Sequence, residues 1–226
     1  MQLAIDTSTD IASLALVQNT EIIAEMTWRC GLNHTVELYP RLDFLVQKSG
    51  LDIQSVDCVF AAKGPGSFNG LRVGVSAAKG IAFSLGIPII AVGTLEISAY
   101  AHAASGLPVC VIQNAGREEI AAAFYRQKRT GWSELKAEYL TTTQDLMSKI
   151  KGKTIFCGDF NPETGVLIRK LGKTLAIVPS QAARLRRAGF LIELAKKRFD
   201  GGHFDDVATL QPVYLRKPPI SERKKP

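Results

Sequence analysis

A glycine-rich segment, Gly64-Pro-Gly-Ser-Phe-Asn-Gly70, joins a short apolar run at residues 58–62 to a helical pattern that starts at residue 71. A strand that turns into a helix through such a segment is typical of proteins in which helices cover a sheet. Glycines let the backbone pass close to a neighbour, and the N-terminus of the following helix attracts an anion. Two interpretations therefore stay open: a loop that holds a phosphate group, or tight packing of strand against helix without a ligand.

A second polar turn, Asp6-Thr-Ser-Thr9, ends the first predicted strand and suits either a phosphate or a simple strand-closing turn. The glycine segment itself matches neither of two catalytic loops. A Walker loop needs Gly-Lys-Ser/Thr, which does not follow, and a nucleophile elbow needs glycines where Pro65 and Asn69 stand. The candidate phosphate loop consists of Asp6, Thr7, Ser8, Gly64, Gly66, Ser67 and Gly70.

Three predicted strands are followed by alternating helices and strands, and this order occurs twice. The first set is strands 3–5, 13–17 and 21–28, helix 35–48, strand 58–62, helix 71–85, strand 89–92 and helix 95–104. The second set is strands 109–112, 120–125 and 135–140, helix 145–150, strand 154–157, helix 164–171, strand 175–178 and helix 181–199. The order predicts an α/β fold of mixed sheets with helices on their faces. We place the boundary at Gly106-Leu-Pro108, between a first lobe (1–105) and a second, basic lobe with a C-terminal tail (106–226).

The excess positive charge is confined to the second half of the chain. The whole chain has 28 basic and 21 acidic residues, a net charge of +7, of which residues 1–105 contribute −3 and residues 106–226 contribute +10. A solvated face and a nucleic-acid contact both explain such a distribution. The candidate contacts are the basic residues of the last predicted helix: Arg184, Arg186, Arg187, Lys196, Lys197 and Arg198.

Cysteine and histidine spacing predicts no metal site and no bound cofactor. The four cysteines form no C-x-x-C pair and the three histidines no H-x-x-x-H pair, so neither a zinc site nor a disulfide framework is indicated. The N-terminus lacks the basic start of a signal peptide, and the most apolar stretch, 77–104, is interrupted by Lys79, Pro88 and Glu96. We expect a cytoplasmic protein that does not enter a membrane.

Five segments occur in the order and spacing of one known family. They are Ile5-Asp-Thr-Ser-Thr9, Asn33-His-Thr-Val-Glu37, Gly64-Pro-Gly-Ser-Phe68 continuing to Gly70-Leu-Arg-Val-Gly74, Thr94-Leu-Glu96, and Pro212-Val-Tyr-Leu-Arg216. On these residues the chain resembles the bacterial TsaB (YeaZ) proteins, most strongly over residues 1–100. The resemblance implies the two-lobed fold shared by actin, sugar kinases and Hsp70.

The resemblance also implies a function. TsaB is a paralogue of TsaD, the subunit that catalyses transfer of a threonylcarbamoyl group to the adenosine next to the anticodon of tRNA. TsaB is regarded as a non-catalytic partner of TsaD, and the TsaE ATPase joins the assembly. Where TsaD carries a metal-binding His-x-x-x-His, this chain reads Thr94-Leu-Glu-Ile-Ser98, and hydroxyls are poor ligands for a transition metal. We therefore expect a pseudoenzyme subunit whose phosphate loop is vestigial.

Two weakly charged helices, 35–48 and 71–85, are the predicted partner-binding elements, since such helices either lie in a core or form a subunit interface. The resemblance implies that they pack against equivalent helices of TsaD, or against a second copy of the chain when TsaD is absent. The tRNA would then be contacted indirectly, through the complex. The expected interface residues are His34, Glu37, Leu38, Leu42, Leu45, Leu71, Val75 and Ala78.

Two other hypotheses stay open. The first is a stand-alone ATP-binding phosphotransferase or ATPase that uses Asp6, Thr7 and the glycine segment. The absence of a second acidic phosphate loop disfavours it, because Asn114 is the residue that follows the first strand of the second half. The second is a direct tRNA contact through the basic half, which would make binding strongly salt-dependent.

Overall fold

Two five-stranded mixed sheets form the framework of the protein. The computed structural model describes residues 1–116 and 118–215, so Arg216 and the rest of the tail lie outside the described residues. The first sheet has the strand order β3-β2-β1-β4-β5, in which β1 pairs antiparallel with β2 and parallel with β4. Its strands are β1 (Gln2–Asp6), β2 (Ile11–Gln18), β3 (Glu21–Arg29), β4 (Cys58–Ala62) and β5 (Ile89–Val92).

The second sheet repeats this topology. Its order is β10-β9-β6-β7-β8, and β6 pairs antiparallel with β7 and parallel with β9, as β1 does with β2 and β4. Its strands are β6 (Val109–Gly116), β7 (Glu119–Lys128), β8 (Gly131–Thr141), β9 (Thr154–Asp159) and β10 (Ala176–Ile177). The predicted α/β class and the twofold order of elements are thereby confirmed.

Helices α1 (His34–Ser49) and α2 (Phe68–Leu85) cover one face of the first sheet. Their apolar stripes pack on the strand residues that point to that face, such as Leu3 and Ile5 of β1. Each helix ends at a glycine in the left-handed conformation, as the sequence predicts: Gly50 (φ 69°) for α1 and Gly86 (φ 66°) for α2. Among the described helices, none is long and apolar enough to cross a bilayer.

The second sheet carries two short helices on its outer face. Helix α4 (Thr143–Ser148) and helix α5 (Pro162–Gly172) enclose a cluster built around Phe156 and Ile168. The side chain of Asn161 caps α5 by accepting a hydrogen bond from the Thr164 N–H at 2.8 Å.

The remaining two helices are exchanged between the sheets. Helix α3 (Thr94–Tyr100) follows the first sheet in the chain but packs on the second, where Leu95 and Ala99 contact Val109 and Val111. Helix α6 (Ala188–Asp200) follows the second sheet but packs on the first. A division of the chain at residues 105/106 therefore assigns both helices to the sheet that they do not cover, because chain order differs from packing order.

The packing of α6 uses the strand residues that alternate with those facing α1 and α2. Leu191 and Ile192 lie against Phe60 and Ile90 in this second core. The helix starts at Ala188, not at residue 181 as predicted, and residues 178–187 form a crossing segment that leads from one sheet to the other. Side chains of the first sheet fix the start: Ser13 Oγ accepts from the Ala188 N–H at 3.0 Å, and a Glu25 carboxylate oxygen accepts from the Gly189 N–H at 2.8 Å.

Candidate functional site

The turn after β1 is closed by the carboxylate of Asp6. One oxygen of this buried group accepts hydrogen bonds from the Ser8 N–H at 2.9 Å and the Ser8 hydroxyl at 2.6 Å. Thr7 turns the other way and donates from its hydroxyl to the Gly70 carbonyl of α2 at 2.7 Å. The structure thus brings the polar turn and the glycine segment together, as the sequence predicts.

The second oxygen of the Asp6 carboxylate is occupied by an arginine from the crossing segment. Arg186 Nε donates to Asp6 Oδ2 at 2.5 Å, and Arg186 Nη2 donates to the Thr9 hydroxyl at 3.0 Å. Both charged side chains are almost fully buried, with exposed fractions of 6% and 1%. A carboxylate that binds Mg²⁺ alongside phosphates must be free to coordinate the ion. Here a guanidinium of the same chain neutralises it.

The glycine segment packs on the polar turn without leaving a gap. A Cβ atom at Gly66 would lie 2.1 Å from the Ser8 carbonyl oxygen, and one at Gly70 would lie 2.2 Å from that of Thr7. The Ser67 N–H donates to the same Ser8 carbonyl at 2.7 Å. Of the two interpretations left open by the sequence, this geometry matches tight packing of the loop and helix on a neighbouring turn.

Residues Thr94 and Ser98 occupy α3, where they are buried. The Ser98 hydroxyl donates to the Thr94 carbonyl at 3.1 Å, so it serves the backbone of its own helix. No group of three or more His, Cys, Asp and Glu side chains suited to a metal ion occurs among the described residues. Hydroxyl side chains in these positions do not fit a transition metal.

Most of the predicted partner-interface residues lie on the inward stripe of α1 and α2, where their side chains are buried in the chain's own core. Their contact with a partner stays a prediction. Glu37 alone is half-buried, and it forms a hydrogen-bonded ion pair with Arg41 at 2.8 Å. The buried residues are His34, Leu38, Leu42, Leu45, Leu71, Val75 and Ala78.

The outer sides of the same two helices carry exposed apolar side chains, which we call the outer apolar surface. It consists of Val36, Tyr39 and Phe44 on α1 and Phe83 on α2, the last 81% exposed. A shallow pocket of about 640 Å³ between the helices is lined by Tyr39 and by Ile81 of α2. Contiguous patches of exposed apolar side chains are the places where interaction sites are expected on a protein surface.

The six candidate tRNA contacts do not form one exposed basic patch. Arg186 is buried against Asp6, and Arg187 pairs with Glu25 at the start of α6. Arg198 donates to Asp205 and to the Ala91 carbonyl, each at 3.0 Å. Half of this basic cluster therefore fastens the crossing segment and α6 to the first sheet.

The other members of the cluster are arranged differently. Lys196 pairs with Asp200 within α6 at 2.9 Å, and Lys197 is exposed. Arg184 is half-buried and lies over the ring of Phe160, with its guanidinium carbon 4.3 Å from the ring centroid.

Sequence reasoning missed the cleft between the two sheets. It has a volume of about 340 Å³. The first sheet contributes the turn after β1, the start of β2 and the end of β3, and the rest of the lining includes the ends of β6 and β9, the start of α5 and the crossing segment. The Asn-Pro pair that opens α5 was a readable helix start, but nothing local places it opposite β1. The missed lining residues include Arg29, Asn114, Asp159, Asn161 and Gln181.

Comparison with known sequences relates the chain to proteins of tRNA threonylcarbamoyladenosine biosynthesis. The family model described as TsaD, tRNA N6-adenosine threonylcarbamoyltransferase, matches residues 29–208. The tRNA threonylcarbamoyladenosine biosynthesis protein TsaB of Bacillus subtilis is 30% identical over 218 residues, covering 95% of this chain and 93% of that protein. Its namesake from Haemophilus influenzae is 29% identical over 227 residues, covering 95% and 92%.

Comparison with solved structures gives the same architecture. A Pseudomonas aeruginosa protein described as similar to the peptidase YEAZ superimposes with a TM-score of 0.81 at 23% identity, covering 95% of this chain and 99% of its own. YeaZ from the same organism gives a TM-score of 0.79 at 22% identity, with the same coverage. At these identities the similarity establishes the fold, which is the two-lobed fold expected from the sequence.

Proposed function

The chain belongs to the TsaB family, and on that premise we propose that it serves tRNA threonylcarbamoyladenosine biosynthesis as a non-catalytic subunit that pairs with a TsaD-like catalytic protein. The relatives named TsaB are biosynthesis proteins of this modified nucleoside, and they match nearly the full length of the chain. The match to the TsaD family model relates the chain to the transferase itself.

The observation that carries the non-catalytic role is the buried pair between Asp6 and Arg186. Phosphoryl chemistry in this kind of cleft needs a carboxylate that is free to hold a metal–phosphate complex. In this chain the Asp6 carboxylate accepts two hydrogen bonds from Ser8 and one from Arg186. The glycines pack directly on the turn, so the loop offers no room for phosphate oxygens. These contacts disfavour the alternative of a stand-alone ATPase or phosphotransferase.

The pairing role is supported by the outer apolar surface of α1 and α2. The side chains of Phe83 and Val36 are 81% and 68% exposed. Burial of these apolar side chains against a partner would be favourable. The exposed side of α2 also carries Ser76 and Gly80, small residues that would let a partner helix approach closely. In this proposal a TsaD-like protein covers the surface, a second copy of the chain covers it when that protein is absent, and a TsaE-like ATPase joins the assembled pair.

The pairing is tested by co-expression with the TsaD-like protein and measurement of the affinity of the purified pair. We expect Phe83→Asp and Tyr39→Asp each to weaken pairing at least tenfold, because a charge would be desolvated in an apolar contact (~1.4 kcal/mol or more). Val166→Asp is the matched control: Val166 is also an exposed apolar helix residue, at 62%, but it lies on α5 of the second sheet. Unchanged affinity in both helix variants would remove the proposed interface.

The non-catalytic role is tested separately with the isolated chain. We expect no turnover of ATP, and we expect tRNA modification only when the TsaD-like protein is added. ATP turnover by the isolated chain that disappears in Asp6→Asn would establish the enzyme alternative instead.

A further inference from the structure

Six exposed basic residues of the second half lie in two short segments of the chain. The tip of the hairpin formed by β7 and β8 carries the exposed side chains of Arg126, Lys128 and Arg129. The loop that leads from α4 to β9 carries those of Lys149, Lys151 and Lys153. Residues 126–131 and 149–153 contain no acidic residue.

The topology of the second sheet brings both segments to the same end of the sheet. Val109, the first residue of β6, pairs with Tyr125 of β7 and with Ile155 of β9. Because β7 is antiparallel to β6 and β9 is parallel to it, the residues after Tyr125 and those before Ile155 lie beyond the start of β6. The contact of Arg126 agrees with this placement, since its Nε donates to the Gly106 carbonyl at 2.9 Å. We call the six basic side chains the basic end.

The charges of the basic end have no counterion within the described part of the chain. None of the six side chains takes part in an ion pair there, whereas Arg186 and Arg187 are paired with acids of the first sheet and its turn. Glu134, the first acidic residue after the hairpin tip, lines a pocket beside Glu96 of α3. A helix end explains Lys149 alone, since it is the C-cap of α4. An exposed array of like charges raises the local potential and attracts a polyanion.

The other residues of the two segments favour a nucleic-acid backbone over a lipid surface. Their one apolar side chain, Ile150, is half-buried against the core cluster around Phe156, so it is not available to enter a bilayer. The segments contain no aromatic residue on which a base could stack. Separate cations spread over two loops fit repeated phosphate groups, which such a surface contacts without reading the base sequence.

We propose that the basic end binds the phosphate backbone of the substrate tRNA, so that the chain contacts the RNA directly through its second sheet. The choice of tRNA as the polyanion rests on the proposed function. The six residues differ from those expected from the sequence, which lie in the crossing segment and α6. The outer apolar surface belongs to helices that cover the first sheet, so the RNA and the TsaD-like protein would contact different sheets.

The proposal is tested by binding of a labelled, unmodified tRNA transcript to the purified pair of this chain and the TsaD-like protein over a series of salt concentrations. Each phosphate contact adds roughly 0.7–0.9 to the slope of log affinity against log salt. We expect Arg126→Gln/Lys128→Gln/Arg129→Gln and Lys149→Gln/Lys151→Gln/Lys153→Gln each to reduce this slope by roughly 2–3 and to weaken binding at low salt at least about tenfold. The replaced side chains are exposed, so the Tm of the chain should change little.

The matched control makes the same change in charge outside the basic end. Lys170→Gln/Lys196→Gln/Lys197→Gln replaces three exposed lysines of α5 and α6 and should keep most of the affinity for tRNA. An equal loss of affinity in the control and in both test variants would show that net charge attracts the RNA, and it would overturn the proposal. Wild-type affinity in both test variants would overturn it as well.

The affinity of each variant for the TsaD-like protein is measured in parallel. We expect unchanged pairing together with weaker tRNA binding. Weaker pairing with unchanged tRNA binding would identify the basic end as a protein contact and exclude the RNA assignment. If the wild-type chain does not pair at all, the proposed function fails, and the same comparison of tRNA binding is made with the isolated full chain, so the two failures are distinguishable.

Discussion

At the scale of single residues, the pair Asp6–Arg186 joins two positions 180 residues apart in the chain. Two buried charges are tolerated in a protein interior when each satisfies the other, and removal of one leaves an uncompensated charge. The consequences of single and double changes at this pair should therefore differ.

We expect Arg186→Met to lower the free energy of unfolding by about 3–5 kcal/mol, because it leaves the Asp6 carboxylate buried without its cation. The double variant with Asp6→Asn should recover part of this loss. Urea unfolding of wild type, both single variants and the double variant measures the coupling. Arg187→Met is the control, since the Arg187 side chain is 50% exposed and its pair with Glu25 should contribute only about 1 kcal/mol. Additive losses in the double variant would contradict the pairing.

Glu96 of α3 gives a residue-scale prediction of pH dependence. Burial and the charge of Glu134 raise the pKa of its carboxyl, while Lys63 and Arg198 act in the opposite direction. A raised pKa in the folded state means that the stabilisation is complete below the ordinary pKa and is lost as the pH rises through the raised value.

Glu96→Gln removes the buried carboxylate, and with it the loss of stability that its ionisation causes as the pH rises. The variant should therefore be more stable than the wild-type chain at pH 7, and the difference should shrink toward pH 4. Urea midpoints at both pH values measure it. Glu163→Gln, at an exposed position of α5, controls for the change in net charge. A variant less stable than wild type at pH 7 would contradict the assignment.

The sequence predicts the polar turn at Asp6 and its proximity to the glycine segment, because both follow strands that end at the same sheet edge. It does not predict the partner of Asp6. Arg186 lies in a cluster of six basic residues, and local composition does not distinguish an arginine that crosses to another sheet from one that faces solvent. Only the three-dimensional path of the crossing segment makes that distinction.

At the scale of elements, α2 has two kinds of glycine. Gly70 and Gly74 face Thr7, and a Cβ atom at Gly74 would lie 2.2 Å from the Thr7 hydroxyl oxygen. Gly80 lies on the outer side of the same helix, where a Cβ atom would meet nothing within 4 Å. One residue type thus serves close packing at one end of the helix and leaves the outer surface open at the other.

We expect opposite effects from two alanine substitutions in α2. Gly74→Ala should cost about 1–3 kcal/mol, since the new methyl group displaces the Thr7 side chain. Gly80→Ala should stabilise the isolated chain by up to about 1 kcal/mol, because alanine favours the helix and meets no neighbour. Thermal unfolding of both variants checks the sign. A loss of stability in Gly80→Ala would show that its outer side is covered in solution.

The elements themselves are largely predictable, and their surroundings are not. The apolar stripe of α1 identifies Leu38 and Leu42 as a contact face, but a stripe does not reveal whether a sheet of the same chain or another protein covers it. In the structure the stripe packs in the core of the same chain. The exposed apolar side chains of the helix, such as Tyr39 and Val36, are those that a partner could contact. The predicted start of α6, residue 181, was also wrong. The groups that cap the helix at Ala188, Ser13 and Glu25, lie on strands that are distant in sequence, so local sequence does not reveal them.

At the scale of the whole molecule, the exchanged helices connect the two sheets. One face of the first sheet is covered by α6, with Ile97 of α3 in the same apolar cluster, and α3 covers the corresponding face of the second sheet. The two helices also touch each other, with the rings of Tyr100 and Phe190 6.3 Å apart. Such an arrangement favours one cooperative unit over two independent lobes.

We expect a fragment of residues 1–105 to lack cooperative thermal unfolding and to bind a hydrophobic dye, because the sheet face around Phe60 and Ile90 would be exposed. Circular dichroism and dye fluorescence measure both properties. A control fragment that adds residues 188–205 through a glycine–serine linker should recover a cooperative transition. Cooperative unfolding of the shorter fragment would contradict the exchange of helices as a stabilising feature.

The repeated topology was readable from the order of strands and helices, because each half begins with three strands. The exchange of α3 and α6 was not, because both helices have an apolar stripe that suits either sheet. Part of the basic charge of the second half serves the fold, since Arg186 and Arg187 pair with acids of the first half and Arg198 donates to the Ala91 carbonyl there.

The exchanged position of α6 also bears on how the protein is made. The ribosome completes β5 at Val92 well before it adds α6 at Ala188, so roughly 100 residues of synthesis separate a sheet face from its cover. At a translation rate of about 5–20 residues per second, that face waits roughly 5–20 seconds. During this interval the apolar face is exposed on the nascent chain, and the first half reaches its native state only after α6 has been added.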